Sequence, residues 1–436
     1  MRIRFVKLLT LALIISILII PSKSSAMNNM TDLGTLYNNA SCANDINDLG
    51  QVVGYDLYAD VGMGIRHAFI WTAKDGMEDL GELAGSSTVA LGINNLGQAV
   101  GYSWSTAGQY HAFLWTVNDG MVDLGTLGTK PSFAYGINNS GQIVGHTGNW
   151  VGDSLAFIWT PEEGMMSLGT LGGSFSQAQD INDLGQVVGY SETASGEKHA
   201  FLWTANDGMI DLDTLGGGYS SAMGINNLGH VVGLSVNALG EDNTFLWTAE
   251  GGMKDIGSLG GGESVGYDIN DLGQVVGRSK TASLERRAFI WTAEEGMIDL
   301  ETLGGDYSAA YGINNLGQIA GGSRTDLNQL HATLWTATYS PMNPLFSEVD
   351  ALINAGLLNK GQGTSLTAKL NAAANQLGHE NTKAAVNVLE ALLNQLNAFV
   401  NGGILTQVEA QSLISATQDI INQLNNDGEP PPDDGA

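Results

Sequence analysis

The stretch Ala200-Phe201-Leu202-Trp203-Thr204 does not stand alone in the chain. Its tryptophan returns as Trp71, Trp115, Trp159, Trp203, Trp247, Trp291 and Trp335, each 44 residues from the next. A fixed period of that size marks stacked supersecondary units, because a single unit cannot bury its own apolar face. The fourth unit shows four short apolar runs: 165–168, 178–181, 186–189 and 200–203. Runs this short, bounded by Gly, Asn and Asp, read as strands. Four strands per unit is the blade of a β-propeller, so the repeats predict an all-β, seven-bladed β-propeller.

Alternation within a strand predicts how such blades pack. His199, Phe201 and Trp203 share one face, and Ala200 and Leu202 the other. Both faces are largely apolar, as a sheet held between two neighbours requires, and the tryptophans are expected in that core. Between the second and third runs comes a regular turn, Ile181-Asn182-Asp183-Leu184-Gly185-Gln186. Its asparagine can cap the turn through its own side chain. Its glycine, present as Gly50, Gly97, Gly141, Gly185, Gly229, Gly273 and Gly317, is expected at positive φ.

The two ends of the repeat region are complementary. Met30-Thr31-Asp32-Leu33-Gly34 matches the run that elsewhere follows a tryptophan strand, as in Met121-Val122-Asp123-Leu124-Gly125, while Trp335 has no such follower. The ring is therefore predicted to be closed by the N-terminal strand. Deletion of residues 27–36 should then expose a sheet edge.

Residues 1–26 read as a secretory signal: Arg2, Arg4 and Lys7, then an apolar run over residues 8–20, then Ser24-Ser25-Ala26. That run is shorter than the ~20 residues a membrane-spanning helix needs. Cleavage would leave no inserted segment and a secreted or extracellular protein, with the periplasm or cell surface as its other destinations. It removes four of 17 basic residues and none of 45 acidic ones, so the balance becomes 13 minus 45, or −32. Such a surface repels nucleic acid and anionic headgroups and suits a soluble, monomeric ring. Cys42 is the single cysteine, which excludes an intramolecular disulfide and reads as a small buried residue.

The triplets His67-Ala68-Phe69, His111-Ala112-Phe113 and His199-Ala200-Phe201, each followed by Trp-Thr and later by Gly-Met and Asp-Leu, resemble the bacterial HAF repeat of probable extracellular proteins. The likeness covers residues 30–336. It implies a secreted repeat protein without an established reaction. The histidine departs from the pattern at Leu155, Asn243 and Arg287, and the last triplet is His331-Ala332-Thr333.

Beyond Pro341 and Pro344 the apolar period changes to three or four. Helices are predicted around Val349, Leu352 and Ile353; Leu366, Leu370, Ala373 and Leu377; Val386, Leu389, Leu393, Leu396 and Val400; and Val408, Ile414, Ile420, Ile421 and Leu424. Thr406 with Glu409 reads as a capping box, and Gly378 and Gly402 as helix ends. A small C-terminal α-helical bundle follows. Residues 354–363 and 396–400 resemble the FIMAH domain, a C-terminal helical module of secreted bacterial proteins, which implies an extracellular accessory module. The division is 1–26 signal peptide, 27–339 propeller, 345–425 helical bundle and 426–436 a disordered acidic tail.

One correlation within the turns suggests a metal. Where Asp precedes the turn's isoleucine (Asp45, Asp180, Asp268), Asp also follows its asparagine (Asp48, Asp183, Asp271); the other four copies carry Gly and Asn. Paired carboxylates repel unless a positive charge lies between them, so these six aspartates are candidate Ca²⁺ ligands. The repeated histidines read as hydrogen-bonded structural groups. Zinc-protease, serine-hydrolase and phosphate-loop motifs are absent from the sequence. The reading is a secreted, non-catalytic binding or scaffold protein that engages an extracellular protein or cell-surface glycan. Its variable stretches, residues 56–66, 103–110, 147–154 and 279–286, are the expected contact surface. The competing reading is a secreted glycan hydrolase or lyase, marked by convergent carboxylates and an aromatic wall at a channel mouth.

Overall fold

A computed structural model describes residues 29–37, 39–58, 64–85, 87–148, 154–293 and 295–336, and in the C-terminal part 345, 348–349, 352–353, 355–378 and 382–426. The stretch read as a signal peptide, the acidic stretch 427–436 and parts of two variable stretches, 59–63 and 149–153, lie outside the described residues.

The repeat region is mostly β and propeller-like. After β1 (Asn29–Asp32), the first repeat contributes β2 (Ala40–Ile46), β3 (Val52–Tyr58), β4 (Ile65–Thr72) and β5 (Gly76–Asp79), paired in that order as an antiparallel sheet. The next two repeats form similar four-stranded sheets. Repeats four and five, and six and seven, are joined pairwise by single parallel bridges, Lys198 with Tyr219 and Arg286 with Tyr307. Strand β1 pairs antiparallel with the last strand, Leu330–Thr336, in the register Met30 with Trp335 and Asp32 with Thr333.

Each core cluster is built from two successive repeats. One joins Val144, Ala156, Ile158 and Leu168 to Ala178, Ile181, Val187 and Phe201. Another joins Leu33, Ala320, Ala332 and Leu334 to Ala43, Ile46, Val52 and Phe69, bringing the last repeat against the first. Trp71, Trp115, Trp159, Trp203, Trp247 and Trp291 pack against these clusters as partly buried rings, but the deepest ring of each repeat is another. Phe69, Phe113, Phe157, Phe201, Phe245 and Phe289 are the fully buried rings, whereas Trp335 alone among the repeated indoles is fully buried and the other six are half-buried. The reason lies in the second strand, where glycine leaves a bare backbone for the phenylalanine: a Cβ on Gly277 would sit 2.8 Å from the Phe289 ring. In the seventh repeat Thr333 replaces that phenylalanine, and Trp335 is buried instead.

A serine fastens six of the seven repeats to a neighbouring one; in the second repeat Thr88 stands there and pairs with Ser103 Oγ at 3.0 Å instead. Ser176 Oγ donates to Gly169 O at 2.6 Å and accepts the Ala156 N–H at 2.9 Å. Ser132, Ser220, Ser264 and Ser308 do the same, and Ser41 reaches Gly34 O and Ala332 N–H from the first repeat. A buried hydroxyl that both donates and accepts is satisfied, so its hydrogen bonds offset the cost of taking it out of water.

The C-terminal part contains three described helices, α1 (Lys360–Gly378), α2 (Thr382–Asn401) and α3 (Gln407–Asn426). They share a core of Leu366, Leu370, Leu389, Leu392, Leu396 and Leu413, among others. The Thr406 amide donates to Glu409 Oε2, and the Glu409 amide to Thr406 Oγ1, which is the reciprocal cap expected. Val408, expected on the apolar face, is 86% exposed. It lies in the first turn after that cap, and Leu413 takes the inner position.

Candidate functional site

The strands of the repeat region present two ends. At one, the turns after each first strand converge on a narrow mouth of about 160 Å³, lined by isoleucine, asparagine and aspartate from all seven repeats. The turn asparagine explains the convergence. Asn182 Oδ1 accepts the Leu184 and Gln186 amides, so it caps its own turn as expected. Its Nδ2 also donates to Asn226 O in the following repeat at 3.0 Å. The same bond runs from Asn47, Asn94, Asn138, Asn226 and Asn270 to their successors, and from Asn314 back to Asn47 O. A second circle lies beside it: each backbone amide of the next turn residue donates to the Oδ1 of its counterpart one repeat on, ending with Asn315 N–H to Asp48 Oδ1. The turn glycines hold positive φ between 71° and 77° throughout.

The six candidate calcium ligands all belong to this end, in two layers. Asp48, Asp183 and Asp271 sit in the second circle and accept from asparagine side chains, as Asp183 Oδ2 does from Asn139 Nδ2 at 2.9 Å. Asp45, Asp180 and Asp268 each accept two backbone amides, one from their own isoleucine at 2.7 Å and one from the isoleucine of the next repeat, Ile93, Ile225 or Ile313. Burial raises all three: Asp180 up to about 7 and Asp268 up to about 6, with Asp45 well above the usual carboxylate range. The charge of Asp268 adds to the rise at Asp45 and Asp180, and backbone amides oppose it at all three. Among the described residues, no group of three or more His, Cys, Asp or Glu is placed to hold a metal ion.

Aspartate and glycine alternate around this layer for a steric reason. A Cβ on Gly136, Gly224 or Gly312 would come within 3.1 Å of the Cα of Asp180, Asp268 or Asp45, the next residue around the ring. Side chains in two successive repeats would therefore collide, and their carboxylates would repel.

The histidines of the repeats are structural. His67, His111, His199 and His331 hold Nδ1 at 2.8 to 3.1 Å from Asp79, Asp123, Asp211 and Asp32, tying the third strand to the outermost one. Cys42 is buried, and its thiol is pushed up to about 12 by that burial. His146 was not singled out in the sequence. It is buried, stacked on Phe133 and Tyr135 at 5.0 and 5.5 Å, and burial lowers it to about 3.

The other end of the strands is chemically diverse. The cross-strand pair five residues beyond the residue that opposes the tryptophan is Leu57 with Arg66 in the first repeat, Trp104 with Tyr110 in the second and Glu192 with Lys198 in the fourth. It becomes Val236 with Asp242, Lys280 with Arg286 and Arg324 with Leu330 in the last three. At ~3.3 Å per residue these pairs lie roughly 17 Å from the asparagine mouth. Aromatic contacts gather here, including Trp104 with Tyr110 at 5.0 Å and Tyr37 with Tyr58 at 5.2 Å. So do cations over rings: Lys198 lies 4.4 Å from the Phe175 centroid.

No curated protein matches the chain. Among solved structures, the β-propeller domain of the Trilobed protease from Pyrococcus furiosus is 11% identical with a TM-score of 0.44, covering 68% of this chain and 95% of that one. TolB from Acinetobacter baumannii is 9% identical with a TM-score of 0.38, covering 65% and 79%. The helical part has a clearer affinity: residues 345–422 match the FIMAH domain family.

Proposed function

We propose that residues 30–336 are a HAF-repeat, seven-bladed propeller latched by β1, and that the chain is a secreted binding or scaffold protein whose diverse end engages an extracellular protein or cell-surface glycan. The contrast between the two ends carries this reading. One end repeats the same residues in every copy and spends them on bonds between copies; the other varies its side chains while keeping the same backbone register. A repeat that must dock on its neighbour cannot vary there, and recognition needs variety. The FIMAH module would be an accessory on the same secreted chain.

A glycan array together with pull-down of proteins from the producing cell's exterior tests the reading. Binding that is lost when side chains of the diverse end are changed, and kept when Leu184 at a turn tip is changed, supports it. Silence in both assays with turnover of a polysaccharide would reverse it in favour of a glycan hydrolase or lyase. That second reading draws on the convergence of Asp45, Asp180 and Asp268. Against it, both oxygens of each carboxylate accept backbone amides, and no aromatic side chain lines that mouth among the described residues.

The latch has its own test. Removing residues 27–36 should lower the melting temperature and promote aggregation through the freed 330–336 strand; a soluble monomer melting unchanged would refute it. Calcium at Asp45, Asp48, Asp180, Asp183, Asp268 and Asp271 is a separate proposal. It would need about six to eight oxygens per ion, and calorimetry after chelation decides it: heat abolished by Asp183→Asn supports binding, and no heat removes it.

A further inference from the structure

The groove between the sixth and seventh repeats departs from the rest of the molecule in charge. Five arginines follow Ala26, and four of them, Arg278, Arg286, Arg287 and Arg324, fall within residues 278–324 of a chain whose net charge is −28. The groove is open to solvent, has a volume of about 430 Å³ and is lined by Lys280, Glu285, Arg286, Asp306, Tyr307 and Arg324, with Ser283 and Leu284.

Its cations are held in place. Lys280 and Arg286 both pair with Glu263, Arg287 pairs with Glu285 at 2.8 Å, and Arg324 Nη1 lies 3.2 Å from Asp306 Oδ1. Arg324 also lies over the Tyr307 ring, 5.6 Å from its centroid, and the Tyr307 hydroxyl lies 3.3 Å from that of Tyr311. Arg286 and Arg324 remain 47% and 41% exposed. Guanidinium groups fixed by one carboxylate keep outward N–H donors for another, and ordering them beforehand lowers the entropy cost of binding.

The mixture of groups narrows the ligand. Cations alone would suit any anion. Here Glu285 and Asp306 stand among them as acceptors, which repel a multiply charged phosphate or an acidic peptide and welcome hydroxyl donors. Tyr307 offers a ring wall, and the volume lies within the range of small-ligand pockets. We propose that this groove binds an acidic saccharide, with the sugar carboxylate on Arg286 and Arg324, hydroxyls on Glu285 and Asp306, and the sugar ring against Tyr307. The inference rests on the binding reading of the diverse end and assigns that reading a ligand class and a place.

Calorimetry on the full chain tests it, using oligosaccharides of galacturonate and of glucuronate, a neutral galactose oligosaccharide and inorganic phosphate. The expected result is binding of at least one of the two acidic sugars and of neither control. Arg286→Gln and Arg324→Gln should each weaken it about tenfold or more. Lys198→Gln, the position equivalent to Arg286 in the fourth repeat, should leave it unchanged, and all three variants should melt like the parent. Phosphate binding as well as the sugar, equal loss in Lys198→Gln, or no heat from either acidic sugar would overturn the proposal. Capture of a neutral glycan or a protein at other repeats, with no acidic sugar bound, would sink this assignment and leave the wider binding reading standing.

Discussion

The two ends of the repeat region are made by the same strands and obey opposite rules. At the asparagine end, every repeat presents Ile-Asn-Asn/Asp and a positive-φ glycine, and the turn asparagine both caps its own turn and donates to the next repeat. At the diverse end, the same backbone register carries tryptophan, glutamate, lysine or arginine. Periodicity alone therefore does not mark function in a repeat protein. What distinguishes the ends is where the side-chain bonds go: to the neighbouring copy at one, within the same copy at the other.

That contrast can be broken by mutation. Asn182→Ala removes two donors and an acceptor shared by two amides from a buried turn. It should cost about 3 kcal/mol or more in urea denaturation. Equal loss from Lys280→Ala at the far end would erase the distinction. Gly224→Ala places a methyl 2.9 Å from Tyr267 O and Asp268 Cα, for an expected loss of about 1–3 kcal/mol. Gly218→Ala, whose new Cβ meets only Glu197 Oε1 at 3.5 Å, should stay within about 0.5 kcal/mol.

The pH dependence sharpens the same comparison. Asp45, Asp180 and Asp268 hold protons more tightly folded than unfolded, so their contribution is full below the ordinary carboxylate pKa of about 4. It is lost as pH rises through their folded values, about 6 for Asp268 and about 7 for Asp180. Urea midpoints should fall between pH 4 and pH 8, and Asp180→Asn should flatten that slope. A midpoint that rises across the interval would contradict the assignment. A small effect is also expected at the His–Asp ties: Asp211→Asn should cost about 0.5 kcal/mol in thermal melting, with Asp211 42% exposed.

Much of this was legible in the sequence because it depends on local spacing. The 44-residue period, the turn glycines and the Thr406–Glu409 cap need no knowledge of the neighbouring copy. The greater depth of phenylalanine than tryptophan was not legible, because alternation shows which residues share a face and not how deep each one lies. Depth was set by Gly54, Gly233 and Gly277, which admit phenylalanine against bare backbone. The second role of the turn asparagine was invisible for a related reason: its partner is 44 residues away, in the next copy. At the diverse end, residues 279–286 stood out as a variable stretch, but the groove they border is completed by Asp306, Tyr307 and Arg324 from the following repeat.

The alternation of aspartate and glycine in the inner layer has an arithmetic consequence. Strict alternation closes only on an even count, and this circle has an odd one, so three aspartates are the most it can hold without two of them touching. One doubled glycine must then occur, and it falls at Gly92 and Gly136. Parity alone thus gives a nearly symmetric wheel a single marked position, from which every other repeat can be told apart.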